Sequence, residues 1–373
     1  MRSSGRCAGF SGGDPPAFMH AGMKKDLPPA MLVRAVNWLG DAVLTTPALG
    51  AVRAALPHSR ITLAAKPLVA EMFLHHPDVD EILVYDKDGR HSGAVGMLRM
   101  ARELRRRDFD AAVLFQNAFD AGLLAFLAGI PRREGYATDG RRLLLSRAVP
   151  VTEEILRLHH AEYYLRLVEE LGFSRPGNPA LRLRVTGEER DSMAARLAAA
   201  GIPEGKRILG INPGATYGSA KRWYPDRFAA VADALSEEWD ASVVLMGSVP
   251  EMPLSGEIEA AMRRSPVNLA GKTTVRELMA LLSLCGFLVT NDSGPMHIAA
   301  ALGIPLVAIF GPTDWLTTSP WTRRATIVRV DVDCSPCRRR ECDRGHECMV
   351  GVTADMVVSA ARTLREEVAG GAA

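Results

Sequence analysis

Short apolar runs rich in β-branched residues alternate along the chain with stretches whose apolar positions recur every three to four residues. That alternation predicts βαβ units and parallel sheets. In the first half the strand-like runs are 31–36, 60–65, 81–85 and 111–115, and the clearest helical periodicity covers 93–107. An amphipathic stretch, 156–171, predicts one continuous helix. It leads into Gly172-Phe173-Ser174-Arg175-Pro176-Gly177-Asn178-Pro179, whose glycines and prolines predict a linker. The second half restarts the pattern, with strands expected at 207–211, 242–246, 287–290 and 306–310. Helices are expected near 226–235, 275–284 and 296–302, and a last one over 354–368. The pattern predicts an α/β protein of two doubly wound domains, 29–178 and 179–352, followed by a C-terminal helix and tail, 353–373. Ligands of such sheets sit beyond the carboxyl ends of the strands, so the site is expected in the cleft between the domains.

Composition narrows the class without naming it. A chain of 373 residues, 47% hydrophobic, suits two cores better than one oversized core. The formal net charge of +2 does not fit a dedicated nucleic-acid binder, and no nucleic-acid partner is expected. Arginines cluster at Arg105-Arg106-Arg107, Arg132-Arg133, Arg141-Arg142 and Arg338-Arg339-Arg340. Such runs are mostly solvated faces, and here they hint at an anionic substrate. No stretch has the unbroken apolar length of a membrane span. Residues 1–28 are rich in Gly, Ser and Pro without an apolar signal core. They are expected to form a disordered extension, with Met23 and Met31 as further candidate starts. Four of the six cysteines lie between Cys334 and Cys348, which is no whole-fold disulfide framework and fits a cytosolic protein.

Four segments carry candidate chemistry, each where a strand is expected to meet a helix. In Val36-Asn37-Trp38-Leu39-Gly40-Asp41-Ala42-Val43, Gly40 permits a tight turn and Asp41 opens the next helix. Asp41 is either an N-cap or a cleft carboxylate able to accept a proton. In Ile211-Asn212-Pro213-Gly214-Ala215-Thr216-Tyr217-Gly218-Ser219-Ala220-Lys221-Arg222-Trp223, a Gly-rich loop can present amides to phosphates, and Lys221 supplies a point charge. The alternative is a surface loop with a solvated Lys-Arg pair. The spacing fits neither a Walker A loop nor the dinucleotide fingerprint. In Thr290-Asn291-Asp292-Ser293-Gly294-Pro295-Met296-His297, a helix start at Pro295 favours a diphosphate. There Asp292 is alternatively a cap and His297 a core histidine. Phe310-Gly311-Pro312-Thr313 can extend the same cradle.

Weaker signals remain. Asp78-Val79-Asp80, Asp108-Phe109-Asp110 and Asp331-Val332-Asp333 match a short metal motif that recurs by chance. Cys334, Cys337, Cys342 and Cys348, with His346 among them, have ligand-like density without a common zinc-finger spacing. A structural metal, structural disulfides and free thiols all stay open there.

Taken together, these segments resemble glycosyltransferase family 9, the lipopolysaccharide heptosyltransferases, from about residue 31 to 358. The most specific parts are Trp38-Leu39-Gly40-Asp41, Asn212-Pro213-Gly214-Ala215, Ala220-Lys221-Arg222-Trp223, and the run from Asn291 through His297 to Pro305. Leu269-Ala270-Gly271-Lys272-Thr273-Thr274 and Ala128-Gly129-Ile130-Pro131-Arg132-Arg133-Glu134-Gly135-Tyr136 add to the likeness. The resemblance implies the GT-B fold, two Rossmann-like domains facing a central cleft. It implies an acceptor-binding N-terminal domain and a C-terminal domain that binds ADP-L-glycero-D-manno-heptose. The implied acceptor is the inner core on lipid A, heptosyl-Kdo2-lipid A, met at the cytoplasmic face of the inner membrane by peripheral contact.

By position, Asp41 matches the general base and Lys221 the diphosphate lysine. Thr216, Asp292, Gly294 and His297 match donor-loop positions, and Tyr217 and Ser293 lie within those loops. Glu251 matches an acidic residue near the donor nucleotide. Asn117, Arg133 and Arg142 are the expected acceptor contacts. The chain departs from the family where Pro295 replaces a leucine and where Phe115-Gln116-Asn117-Ala118 replaces Pro-Asn-Ser. No cofactor or catalytic metal is expected. A sugar-nucleotide epimerase on the same fold and a non-catalytic nucleotide-sugar binder are the rival readings; the binder would tolerate loss of Asp41.

Overall fold

The computed structural model describes residues 28–370, so the expected extension, all but Pro28 of it, lies outside the described residues. Two six-stranded sheets follow one another along the chain, and all strand pairings in both are parallel. The first contains β1 (Ala30–Arg34), β2 (Arg60–Ala65), β3 (Glu81–Val84), β4 (Ala111–Leu114), β5 (Arg132–Tyr136) and β6 (Arg147–Val149). The second contains β7 (Arg207–Asn212), β8 (Ala241–Leu245), β9 (Val267–Asn268), β10 (Phe287–Asn291), β11 (Leu306–Ile309) and β12 (Ala325–Val328).

The spatial orders are β3-β2-β1-β4-β5-β6 and β12-β11-β10-β7-β8-β9. Both are the same doubly wound order, and each has a switch point where the connections reverse: β1 beside β4, and β7 beside β10. The central strands β1, β4 and β10 are buried along their whole length and β7 at all but Arg207, as sheets covered on both faces require. The expected α/β, two-sheet architecture is what the chain adopts.

Two local differences from the sequence reading matter for the site. The stretch read as one helix is two, Glu153–Arg157 and His160–Glu170, with Leu158 and His159 extended between them. The second of these buries Ala161, Tyr164, Leu165 and Val168 at helical spacing and packs on Thr46–Ala55. The expected linker falls in a longer run, 171–186, without helix or strand, and ends at an unexpected helix, Gly187–Ala199. Thr186 and Glu189 close a reciprocal capping box at its start.

The two halves are tied by side chains as well as by the linker. Buried Arg276 donates to both carboxylate oxygens of Glu189 and to the carbonyls of Leu74 (3.1 Å) and Arg184 (2.8 Å). Its hydrogen bonds hold the Glu189 carboxyl down at about 2. The helices Leu39–Leu44 and Gly294–Ala301, one from each half, pack directly against each other. No described helix is long and apolar enough to cross a membrane.

Candidate active site

Each switch point feeds the cleft with two loops. In the second half these are the segment after β7, holding Asn212 to Trp223, and the segment after β10, holding Asp292 to His297. Buried amides lace them together. Asn212 Nδ2 donates to Thr290 Oγ1 and Ser293 Oγ, both at 2.9 Å, while Asn291 Nδ2 donates to the Pro213 carbonyl at 2.6 Å. These bonds fix the loops and satisfy polar groups that burial would otherwise penalise.

On that frame Lys221 Nζ lies 2.7 Å from Asp292 Oδ2, with both side chains largely buried. Thr313 Oγ1 donates to the same oxygen at 2.6 Å, so the Gly311–Thr313 turn joins the cradle as its position after a strand suggested. Lys221 Nζ also lies 5.1 Å from the Tyr217 ring centroid. Thr216 and Tyr217 stand exposed at the tip of the loop. Glu251 closes a capping box with Ser248, and its buried carboxylate lies where a Cβ on Gly214 would fall, 2.2 Å away. Only glycine at 214 lets Glu251 sit against the loop.

The cradle's helix starts one residue earlier than expected, at Gly294, with Ser293 rather than Asp292 in the cap position. Its amides are the unsatisfied donors of any helix start. Here they adjoin a cation and two hydroxyls, which is the composition a diphosphate requires.

The first half contributes the opposite wall. Asp41 is the third residue of Leu39–Leu44, whose cap is Trp38, so the carboxylate does not cap the helix. It lines a cavity of about 320 Å³ together with Trp38, Asn117, Leu158, His160 and Tyr163. Asn117 Nδ2 donates to Tyr163 Oη at 3.0 Å. Of the expected acceptor contacts only Asn117 lines this cavity. Arg133 instead donates to the carbonyls of Leu144 (2.7 Å) and Ile130 (2.5 Å), bracing its own loop, and Arg142 is exposed on the turn Arg141–Leu144.

The arginines that serve the cavity are different ones. Fully buried Arg141 donates to the carbonyls of Tyr136 and Gln116 and reaches Asn117 Oδ1 at 3.4 Å. Buried Arg34 donates to Asn37 Oδ1 at 3.0 Å. Burial pushes both guanidinium groups down to about 10, where they stay charged at neutral pH. Arg34 was not singled out in the sequence and Arg141 entered only as half of an arginine pair, because a buried arginine cannot be told from an exposed one by pattern.

Two glycines bring the walls together. A Cβ on Gly40 would lie 2.8 Å from the His297 ring, and one on Gly294 would lie 3.4 Å from Leu39 Cβ. His297 is buried, its Nδ1 has no partner among the described residues, and burial pushes it down to about 4 against the pull of Asp292 and Asp41. The unfolded chain therefore binds this proton first as pH falls from 6.5 toward 4. The neutral ring's contribution is whole above 6.5 and is lost as pH falls through 4. The acid loss of unfolding free energy should be smaller by ~3 kcal/mol in His297→Gln than in wild type, at about 1.4 kcal/mol for each tenfold difference in proton affinity between the folded and unfolded chain. Urea titrations at neutral and acid pH check this; parallel losses in the two proteins would refute it.

The cysteine segment acts through its backbone. The Arg340 carbonyl accepts from Ala220 N at 3.0 Å, Arg338 N donates to the Pro312 carbonyl at 2.7 Å, and His346 Nε2 bonds the Ala220 carbonyl at 2.8 Å. It thus clamps the Lys221 loop onto the turn after β11. The thiols of Cys334, Cys337, Cys342 and Cys348 are free, and no described group of three or more His, Cys, Asp or Glu is arranged to hold a metal ion. Cys342 is exposed while Cys348 packs beneath the turn at Gly311. The Asp-x-Asp strings form no such group either.

Two Rossmann-like sheets, with a charged cradle at one switch point facing a carboxylate at the other, define a glycosyltransferase of the GT-B class. Residues 97–347 match the family model of glycosyltransferase family 9 (heptosyltransferase). The lipooligosaccharide heptosyltransferase 2 of Campylobacter jejuni is 30% identical over 333 residues, 88% of this chain and 96% of that protein. Two solved structures are similar. A family 9 glycosyltransferase from Veillonella parvula has a TM-score of 0.83 at 27% identity, covering 91% of this chain and 98% of that one. The E. coli ADP-heptose LPS heptosyltransferase II has a TM-score of 0.76 at 27% identity, covering 91% and 99%. The chain belongs to glycosyltransferase family 9.

Proposed function

We propose that this enzyme transfers L-glycero-D-manno-heptose from ADP-heptose to heptosyl-Kdo2-lipid A, the second heptosyl transfer of the lipopolysaccharide core. One observation carries the reading. The Asp41 turn and the helix that follows Asp292 meet at the Gly40–His297 contact, so the turn carrying a candidate proton acceptor adjoins the Lys221–Asp292 cradle. The donor's diphosphate would lie on Lys221 and the helix start at Gly294, with Ser293, Thr216 and Tyr217 around it and Glu251 beneath the loop. The acceptor's hydroxyl would enter the cavity at Asn117 and Asp41.

The reaction is one inverting displacement. The acceptor oxygen bonds to the anomeric carbon as the bond to the diphosphate oxygen breaks. Its proton passes to Asp41, and ADP leaves with the bonding pair. Lys221 and the helix amides meet the charge that builds on the departing oxygen.

The proposed acceptor is a lipid, and exposed side chains of the first half suit a membrane surface. Val95, Leu98, Arg99 and Arg102 share one exposed helix face, Phe119, Phe126 and Leu143 are exposed, and the Arg133 guanidinium lies 5.4 Å from the Phe126 ring centroid. Apolar side chains ringed by arginine fit peripheral contact with the anionic cytoplasmic face of the inner membrane.

Incubation with ADP-heptose and mono-heptosylated Kdo-lipid A, followed by mass analysis of the lipid, tests the assignment. The expected product is heavier by one heptose. Transfer only to heptose-free or already di-heptosylated acceptor would move the enzyme to the first or third step, and isomerised free sugar would point to an epimerase. Co-sedimentation with anionic vesicles checks the membrane contact separately.

A further inference from the structure

The break between Glu153–Arg157 and His160–Glu170 puts two consecutive histidines at a helix start inside the cleft. His160 Nδ1 lies 3.3 Å from Asp41 Oδ1, and both side chains are partly exposed to the cavity. No other side chain among the described residues is hydrogen-bonded to the Asp41 carboxylate. We propose that His160 is a positioning residue for the general base. Its Nδ1–H holds one carboxylate oxygen, so the other keeps a free lone pair toward the acceptor hydroxyl. This inference rests on the reading of Asp41 as proton acceptor.

The surroundings support that role. Asp41 sits on a short helix and has enough exposure to swing, so an unrestrained carboxylate would point its lone pairs at water as often as at substrate. The separation of 3.3 Å is loose for a hydrogen bond, and such contacts tighten when substrate closes a site. Neighbouring Tyr164 is buried and held well above its ordinary value by burial and by the Asp41 charge, so it stays a neutral phenol and does not compete for the proton.

His160 is itself held from the donor side. The preceding His159 accepts from Ala161 N through Nδ1, at 3.2 Å, so its Nε2 carries the proton. That Nε2–H donates to the Ser319 carbonyl of the other half at 2.9 Å, and the ring stacks on Trp321 at 4.6 Å. Burial pushes His159 down from its ordinary value, which keeps this neutral form. The peptide that carries His160 is thereby pinned across the cleft, and the base is oriented only while the halves are together.

The test compares His160→Ala, His160→Asn, His160→Gln and Asp41→Asn, alone and combined, with ADP-heptose and mono-heptosylated Kdo-lipid A. Loss of a hydrogen bond to a charged partner should lower kcat about 10- to 100-fold in His160→Ala, with both KM values within about twofold. His160→Asn places an amide N–H where Nδ1 stood and should recover most of the rate, whereas His160→Gln reaches the wrong edge and should not. Adding His160→Ala to Asp41→Asn should cost nothing further, because a positioning residue has no role once the base is gone.

A raised acceptor KM with unchanged kcat, or losses that multiply in the double variant, would overturn the proposal. If Asp41→Asn alone keeps full activity, the base assignment fails instead. Nitrogen NMR of the imidazole reads the contact without turnover. The Nδ1–H tautomer of His160 should give way to the Nε2–H form in Asp41→Ala, and an unchanged tautomer would also refute it. Melting temperature and ADP binding show which variants stay folded; should His160→Ala not fold, the Asn and Gln pair decides.

Discussion

Asp41→Asn is expected to lower heptose transfer by about two orders of magnitude or more, the usual cost of losing a positioned general base. The substitution keeps the shape of the side chain and still offers an oxygen to His160, so the helix Leu39–Leu44 and the cavity wall should survive. What it removes is the charge and the lone pair that takes the proton. The donor cradle is built from the other half of the chain, where Lys221, Asp292 and Thr313 are hydrogen-bonded among themselves. ADP should therefore bind within about twofold of wild type, since the substitution lies outside that network. Calorimetry with ADP and single-turnover transfer separate the two effects. A folded Asp41→Asn variant working at wild-type rate would leave Asp41 only the role of an acidic residue in a first helical turn, stabilising the helix dipole.

The loops of the proposed donor side stood out in the sequence because their polar residues are contiguous. The runs around Lys221 and Asp292 each follow a buried strand that hydropathy reveals, and each holds its polar residues within a dozen positions. The central strands were read for the same reason. The edge strand β3 was read too, but β5, β6, β9 and β12 were missed: β5 begins with Arg132 and Arg133 and contains Gly135, and β9 has two residues. Neither carries the apolar run that marks a buried strand.

Gly187–Ala199 buries only Met193 and Leu197, so its periodicity is faint even though its capping box was in plain view. The Asp41 cavity depends on tertiary structure and left fewer local signals. Arg141 and Arg142 are adjacent and chemically identical, yet one is buried against Asn117 and the other is exposed. His160 stands 119 positions from Asp41, and the helical periodicity running through 156–171 hid the break that presents it. Pairings made by folding distant turns together leave no local trace.

Lys221→Ala is expected to raise the apparent donor constant and to lower the maximal rate by about 10²–10³, the scale for removing one donor to a developing oxyanion. Lys221 is held by Asp292, a pairing that keeps the ammonium inside the cradle and neutralises a buried carboxylate. An arriving diphosphate offers more charge than one carboxylate, and that charge grows on the departing oxygen, so the lysine contributes most in the transition state. Removing it also leaves Asp292 buried without a counter-charge, which destabilises the fold, typically by about 3–5 kcal/mol. Lys221→Ala with Asp292→Asn relieves that burial, and the double variant should regain thermal stability while staying slow. Recovered stability with recovered rate would mean that the single variant failed by unfolding. Lys221→Arg should restore only part of the rate, since a planar fork does not replace a compact ammonium in a site shaped around one. Acceptor affinity should change little, because the acceptor cavity is formed by the other half of the chain. Magnesium and EDTA should both leave the wild-type rate nearly unchanged, with Lys221 and the helix amides meeting the leaving-group charge. A strict magnesium requirement together with an indifferent Lys221→Ala variant would assign that role to a bound metal and overturn this account.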